Sequence, residues 1–195
     1  MLSKKKSNQR LESTKKYIDD LSSNYSKLNF VKPDLSYTKE YSQNVTLEQA
    51  NKDFKKLLNN TRSKPTVFNG LVGYIVKREY TEEKGVHFHP MFIYDGQKVR
   101  EDITKADQIG EYWKNNITKG NGIFHNCNKN DYKDKGIGIL DHRDSEKRKI
   151  LDEKVITYLC KDEQDIEAVK ENKKDRAFTR GVAPKGRENV GRPRN

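Results

Sequence analysis

Strict alternation of apolar and polar side chains marks the middle of the chain. In Gly85-Val86-His87-Phe88-His89-Pro90-Met91, Phe88 points to one face of an extended strand while His87 and His89 point to the other. The run Gly73 to Tyr80 reads as its partner, and the polar link Thr81-Glu82-Glu83-Lys84-Gly85 has hairpin length with a glycine at its end. If Tyr80 pairs with Val86, Glu79 lies opposite His87 and Lys77 opposite His89, with Cβ atoms about 5 Å apart. A slip of one residue in the turn would face Glu79 away and bring Glu82 or Glu83 into play.

The remaining pattern predicts the frame around this hairpin. A polar leader, Met1 to Arg10, precedes a short helix over Leu11 to Leu21, and Lys27 to Pro33 alternates like a strand. Asp34 to Asn44 reads as irregular. Thr46 caps a helix through Asn60, with Gln49 completing a capping box and Leu47, Ala50, Phe54, Leu57 and Leu58 forming its apolar stripe. A second helix follows from Ile103 to Asn116, with Trp113 turned inward, then strands over Gly120 to Asn126 and Gly136 to Asp141, and a last helix from Val155 to Lys170. The order β-α-β-β-α-β-β-α predicts an α+β fold in which an antiparallel sheet carries packed helices on one face. Residues 1–24 form the basic leader and short helix, 25–172 one domain, and 173–195 a basic, flexible tail.

Composition narrows the partner. The 195 residues carry 40 Lys and Arg against 29 Asp and Glu, a formal charge of +11, and 35% are charged against 32% hydrophobic. Such a chain is drawn to polyanions, with nucleic acid the default. Lys77, Arg78, Lys173, Lys174, Arg176 and Arg180 are candidate phosphate contacts, and Tyr74, Tyr80 or Trp113 could stack on bases. Two cysteines are too few for a disulfide framework, which fits a cytoplasmic protein, and no apolar run suggests a membrane partner.

Two imidazoles and a carboxylate without thiolate suit Mg²⁺ or Mn²⁺ acting as a Lewis acid on phosphate, and zinc is a further option. Tyr158 and Lys161 stand one turn apart on the last predicted helix. A phenol has an ordinary pKa of about 10 and needs activation, which a neighbouring ammonium favours. The geometry therefore suggests Tyr158 as nucleophile, Lys161 as its helper, and His87, His89 and Glu79 as metal ligands. Taken without the hairpin, Tyr158 would read as one of many tyrosines packed on a helix face.

His87-Phe88-His89 followed by Tyr158-Leu159-Cys160-Lys161 resembles the HUH endonucleases. Leu71-Val72-Gly73-Tyr74-Ile75 through Val86-His87-Phe88-His89, together with Ala106 to Trp113, Gly136 to Ile139 and Arg176 to Gly181, resembles the inovirus-type replication protein of filamentous phages and prophages. The resemblance implies a split βαβ, ferredoxin-like or RRM-like architecture. It also implies a rolling-circle initiator, a nickase and ligase that leaves the 5′ phosphate on tyrosine and a free 3′ hydroxyl to prime synthesis. Single-stranded or hairpin origin DNA, a host helicase and a polymerase would be its partners. The alternatives are a single-tyrosine HUH transposase, which keeps the same motif order, and a non-catalytic DNA-binding protein whose histidines are structural.

Overall fold

The computed structural model describes residues 2–161, 166, 169–170, 175–182 and 184. In chain order the elements are α1 (Leu2–Asn24), β1 (Lys27–Val31), β2 (Pro33–Tyr37), α2 (Lys39–Ser42), α3 (Leu47–Asn59), α4 (Pro65–Phe68), β3 (Leu71–Thr81) and β4 (Gly85–Asp95). They continue with α5 (Asp102–Tyr112), β5 (Gly122–Asn126), β6 (Gly138–Asp141), α6 (Ser145–Ile150), α7 (Thr157–Cys160) and β7 (Phe178–Arg180). A π-helical turn, Trp113–Ile117, prolongs α5, and another, Leu151–Ile156, joins α6 to α7.

The hairpin takes the predicted register, with Tyr80 opposite Val86, Glu79 opposite His87 and Lys77 opposite His89. Residues 82–84 make the turn, and Gly85 closes it at φ +63°, a left-handed conformation that costs glycine nothing. A Cβ there would also come within 2.7 Å of the Ser42 carbonyl oxygen. The capping signal before α3 holds as well: Thr46 Oγ1 accepts the Gln49 N–H at 3.1 Å, while the Gln49 side chain turns to Asp53.

The seven strands form one antiparallel sheet. β4 is its spine, paired along one edge with β3 and along the other with β1 and β2 laid end to end, Val31 opposite Phe92 and Leu35 opposite Phe88. The stretch from Asp34 expected to be irregular is thus a strand as far as Tyr37. Pro33 does not end the extended chain but starts its second half, a strand position where a missing N–H is tolerated. The break at Lys32 is bridged by its N–H donating to Asn128 Oδ1 at 2.8 Å and its carbonyl accepting from Cys127 N–H at 3.2 Å. β5 then pairs with β2, β6 with β1, and β7 with β3.

Helices cover both faces, not one. On the first, Phe54 of α3, Phe68 of α4 and Ile109 of α5 pack with Val76, Phe88 and Phe92. On the second, Tyr17, Ile18 and Leu21 of α1 and Leu159 of α7 pack with Ile75, Met91 and Ile93. One-face packing was expected from the element order alone, which left the weak apolar stripe of the N-terminal helix without a place. Instead α1 begins at Leu2, and its sparse apolar side chains suffice to bury a single stripe. The basic tail also contributes to the sheet, since Phe178–Arg180 add β7 to the edge of β3.

Candidate metal centre and tyrosine

The second face of the sheet changes chemistry along its length. Ile75, Met91 and Ile93 lie under α1 and α7, and the next positions on that same face are Lys77, Glu79, His87 and His89. Ligand atoms of Glu79, His87 and His89 all fall within 4.8 Å of one another. Glu79 Oε2 is 3.0 Å from His89 Nε2 and 3.5 Å from His87 Nε2, and Glu79 Oε1 is 2.6 Å from Lys77 Nζ. His87 Nδ1 lies 3.0 Å from the Gly85 carbonyl oxygen, to which it can donate, so the turn that shapes the hairpin also aims Nε2 at the cluster. The donor set of one carboxylate oxygen and two imidazole nitrogens fits a divalent cation, and does not by itself choose among Mg²⁺, Mn²⁺ and zinc.

Asp34 completes the arrangement. Its Oδ1 is 3.0 Å from His89 Nδ1 and 2.6 Å from Lys32 Nζ, so His89 stands between two carboxylates, each backed by a lysine. Burial works against the Asp34 carboxylate, but the His89 hydrogen bond and the Lys32 charge outweigh it and hold the pKa at about 2. At Glu79, burial is likewise outweighed, by hydrogen bonds from His87, His89 and Lys77, and the carboxyl is held well below its usual range. Burial pulls the His89 pKa down, yet hydrogen bonds to Asp34 and Glu79 push it above the ordinary value. Lys32 is raised too, because Asp34 more than offsets burial.

Tyr158 projects from α7 at the border between covered and uncovered sheet. It is 38% exposed, its ring centroid is 5.8 Å from that of His89 at 82°, and Lys77 Nζ sits 4.8 Å from its ring centroid. The structure brings the tyrosine and both histidines together, but through a helical run that differs from the expected one. Asp144 caps it by accepting from Lys147 N–H, far earlier than Val155, and the backbone turns extended at Lys161 (φ −60°, ψ 139°). Lys161 is exposed beyond the helix end, so the shared helical face expected for it and Tyr158 does not form. The ammonium found against the Tyr158 ring is that of Lys77.

The expected phosphate contacts scatter. Lys77 is 2% exposed and ion-paired in the cluster, which removes it from the surface. Arg78 belongs to the opposite face, bonded to Asn51, Thr179 and the Arg176 carbonyl and lying over the Phe54 and Phe88 rings. Arg180 lies over Tyr17, Arg176 is exposed, and Lys173 and Lys174 lie outside the described residues. Trp113 is fully buried and donates to the Ser36 carbonyl, so it is core, and Tyr74 and Tyr80 pack toward the first face, away from the histidines.

Sequence reasoning missed Asp34 and Lys32. The signal was present: in Pro33-Asp34-Leu35-Ser36-Tyr37, Leu35 and Tyr37 alternate with polar residues, which is half-buried strand pattern. Reading Pro33 as a terminator hid it. His125, opposite Asp34 across the β2–β5 pair, is a further nearby imidazole, whereas His142 bonds the Ser26 carbonyl at the far end of the sheet.

Among the described residues no helix is long and apolar enough to cross a membrane. No curated protein and no solved structure matches the chain. The family model described as the YagK/YfjJ C-terminal domain matches residues 2–181, a span that runs from the start of α1 to just past β7 and contains the whole cluster. The chain belongs to the YagK/YfjJ C-terminal domain family.

Proposed function

We propose that the protein is a metal-dependent single-strand DNA nickase and ligase of the HUH kind that initiates rolling-circle replication. The observation that carries this reading is the half-exposed Tyr158 ring set against His89 at the rim of the Glu79, His87 and His89 cluster. An antiparallel sheet with paired histidines on its spine and a tyrosine arriving from a covering helix supports the resemblance seen in the sequence. Glu79, His87 and His89 would hold the ion, and a divalent cation there supplies Lewis-acid polarisation of a phosphodiester.

The chain's own groups do the rest. Tyr158 loses its phenolic proton and attacks phosphorus, the new tyrosyl O–P bond forms, the P–O3′ bond breaks, and the departing 3′ oxygen takes up a proton. The buried Lys77 ammonium beside the ring holds Glu79 in place and puts positive charge near the reacting tyrosine. The phosphodiester bond energy is kept in the tyrosyl ester, so a 3′ hydroxyl can later reverse the step and rejoin the strand.

Purified protein with Mn²⁺ and a labelled single-stranded origin oligonucleotide is expected to give a denaturant-resistant adduct that Tyr158→Phe abolishes while DNA binding persists. An undiminished adduct in that variant would reject the assignment of the nucleophile.

A further inference from the structure

Two clefts flank the cluster and meet at the pair Asp34 and His125, cross-strand partners of β2 and β5 that line both. The wider, about 440 Å³, has the paired histidines on its wall, with Ile123 and the exposed Lys39 and Lys84 around it. The narrower, about 320 Å³, has Tyr158 and Tyr132 on its wall. Among the described residues, Tyr158 lines the second of these two clefts and not the first, and the paired histidines line the first and not the second.

We infer that the wider cleft seats the nucleoside on the 3′-hydroxyl side of the scissile phosphate, with Ile123 as its platform, and that the tyrosine-linked nucleoside lies in the narrower cleft against Tyr132. This rests on the reading of Tyr158 as nucleophile. In displacement at phosphorus the entering and leaving oxygens stand roughly in line on opposite sides. Tyr158 enters from the narrower cleft, so the 3′ oxygen leaves toward the wider one and its nucleoside must already be there. The nucleoside that stays attached to the phosphate stays beside Tyr158.

The side chains suit those occupants. Ile123 is 46% exposed although it belongs to a strand, an apolar surface on which a base face can rest. Tyr132 is 42% exposed, and its hydroxyl accepts from Asn130 Nδ2 at 3.0 Å, which holds the ring in a fixed place for stacking. Lys39 and Lys84 offer ammonium groups to the backbone of the upstream strand, where Coulomb attraction needs no fixed geometry.

The test uses the full chain, Mn²⁺ and single-stranded DNA with a randomised core. Both the released 3′-hydroxyl strands and the protein-linked strands are sequenced, for the wild type, Ile123→Ala and Tyr132→Ala. Both side chains are exposed, so neither truncation takes packing from the core. Ile123→Ala is expected to weaken base preference 5′ of the cut by about tenfold and leave the 3′ preference intact, and Tyr132→Ala to do the reverse. Swapped sides, a wild type without base preference 5′ of the cut, or an unchanged Ile123→Ala profile would overturn the assignment of clefts while leaving the nickase reading standing. A wild type that forms no adduct with any member of the pool rejects the nickase reading itself, and the cleft assignment with it.

Discussion

One strand builds two unlike surfaces. Toward α3, α4 and α5, β4 sends Phe88 and Phe92 into a sealed apolar layer, where Phe88 stacks on Phe54 with centroids 4.7 Å apart. Toward α1 and α7 it sends His87 and His89, interleaved with those phenylalanines. On the sealed side Arg78 holds chain segments together, and burial lowers its pKa to about 10. On the other side Lys32, Asp34, His89, Glu79 and Lys77 form a line of opposed charges. Half-buried ion pairs of this kind gain little stability over apolar residues of the same volume, because desolvation cancels most of the attraction. Under the proposed nickase reading, their clustering beside an overhanging tyrosine serves chemistry more than the fold, and the sealed face is the base that positions it.

That contrast can be broken from either side. Phe88→Ala is expected to destabilise the protein by about 3–5 kcal/mol in urea unfolding, the cost of a large cavity between Phe54 and Trp113. A loss under about 1 kcal/mol would mean that the sealed face is not the foundation. On the opposite face, His87→Ala should weaken Mn²⁺ binding, measured by calorimetry, on the order of a hundredfold or more, above the scale seen for outer partners of a ligand. Unchanged binding would remove His87 from the ligand set.

The hairpin was legible because two short-range rules fixed it together: period-two alternation chose the face, and a turn ending in glycine chose the register. His87 and His89 followed from the alternation, and Glu79 from a register that a one-residue slip would have changed and that the structure shows unslipped. Tyr158 was placed on a helix, but where that helix starts was not legible, because the run is capped at Asp144 and passes through a π-helical turn, Leu151–Ile156, before α7 closes at Cys160; of the expected continuation to Lys170, residues 162–165 and 167–168 lie outside the described residues. A π turn closes through i→i+5 hydrogen bonds and so does not keep the α-helical period, and a stripe read at α-helical spacing slides across it. Asp34 and Lys32 depend on a strand broken at proline and mended by Asn128, a residue that is distant in sequence. Lys77 was read as a surface phosphate contact, because nothing local reveals that α7 closes over it.

Asp34 offers the smallest and most discriminating change. Its carboxylate against Nδ1 keeps the other nitrogen of His89 turned toward Glu79, so Asp34→Asn is expected to weaken Mn²⁺ binding about 10–100-fold, with Tyr158 and the core untouched. The pH dependence gives the sign. The folded pKa of Asp34, about 2, lies below its ordinary value, so its stabilisation is present above about pH 4 and is lost as pH falls through 2. His89 is raised, so its stabilisation is full below about pH 6.5 and is lost as pH rises through the folded value. A metal needs the neutral ring, so over that upper interval Mn²⁺ affinity rises while the stability of the metal-free protein falls. In Asp34→Asn the proton on His89 is held less tightly, and the midpoint of the affinity rise should move to lower pH even as the plateau affinity drops. A midpoint that stays where it was would show that Glu79 alone sets the proton affinity of His89, and Asp34 would then belong with the Lys32 ion pair and not with the histidines.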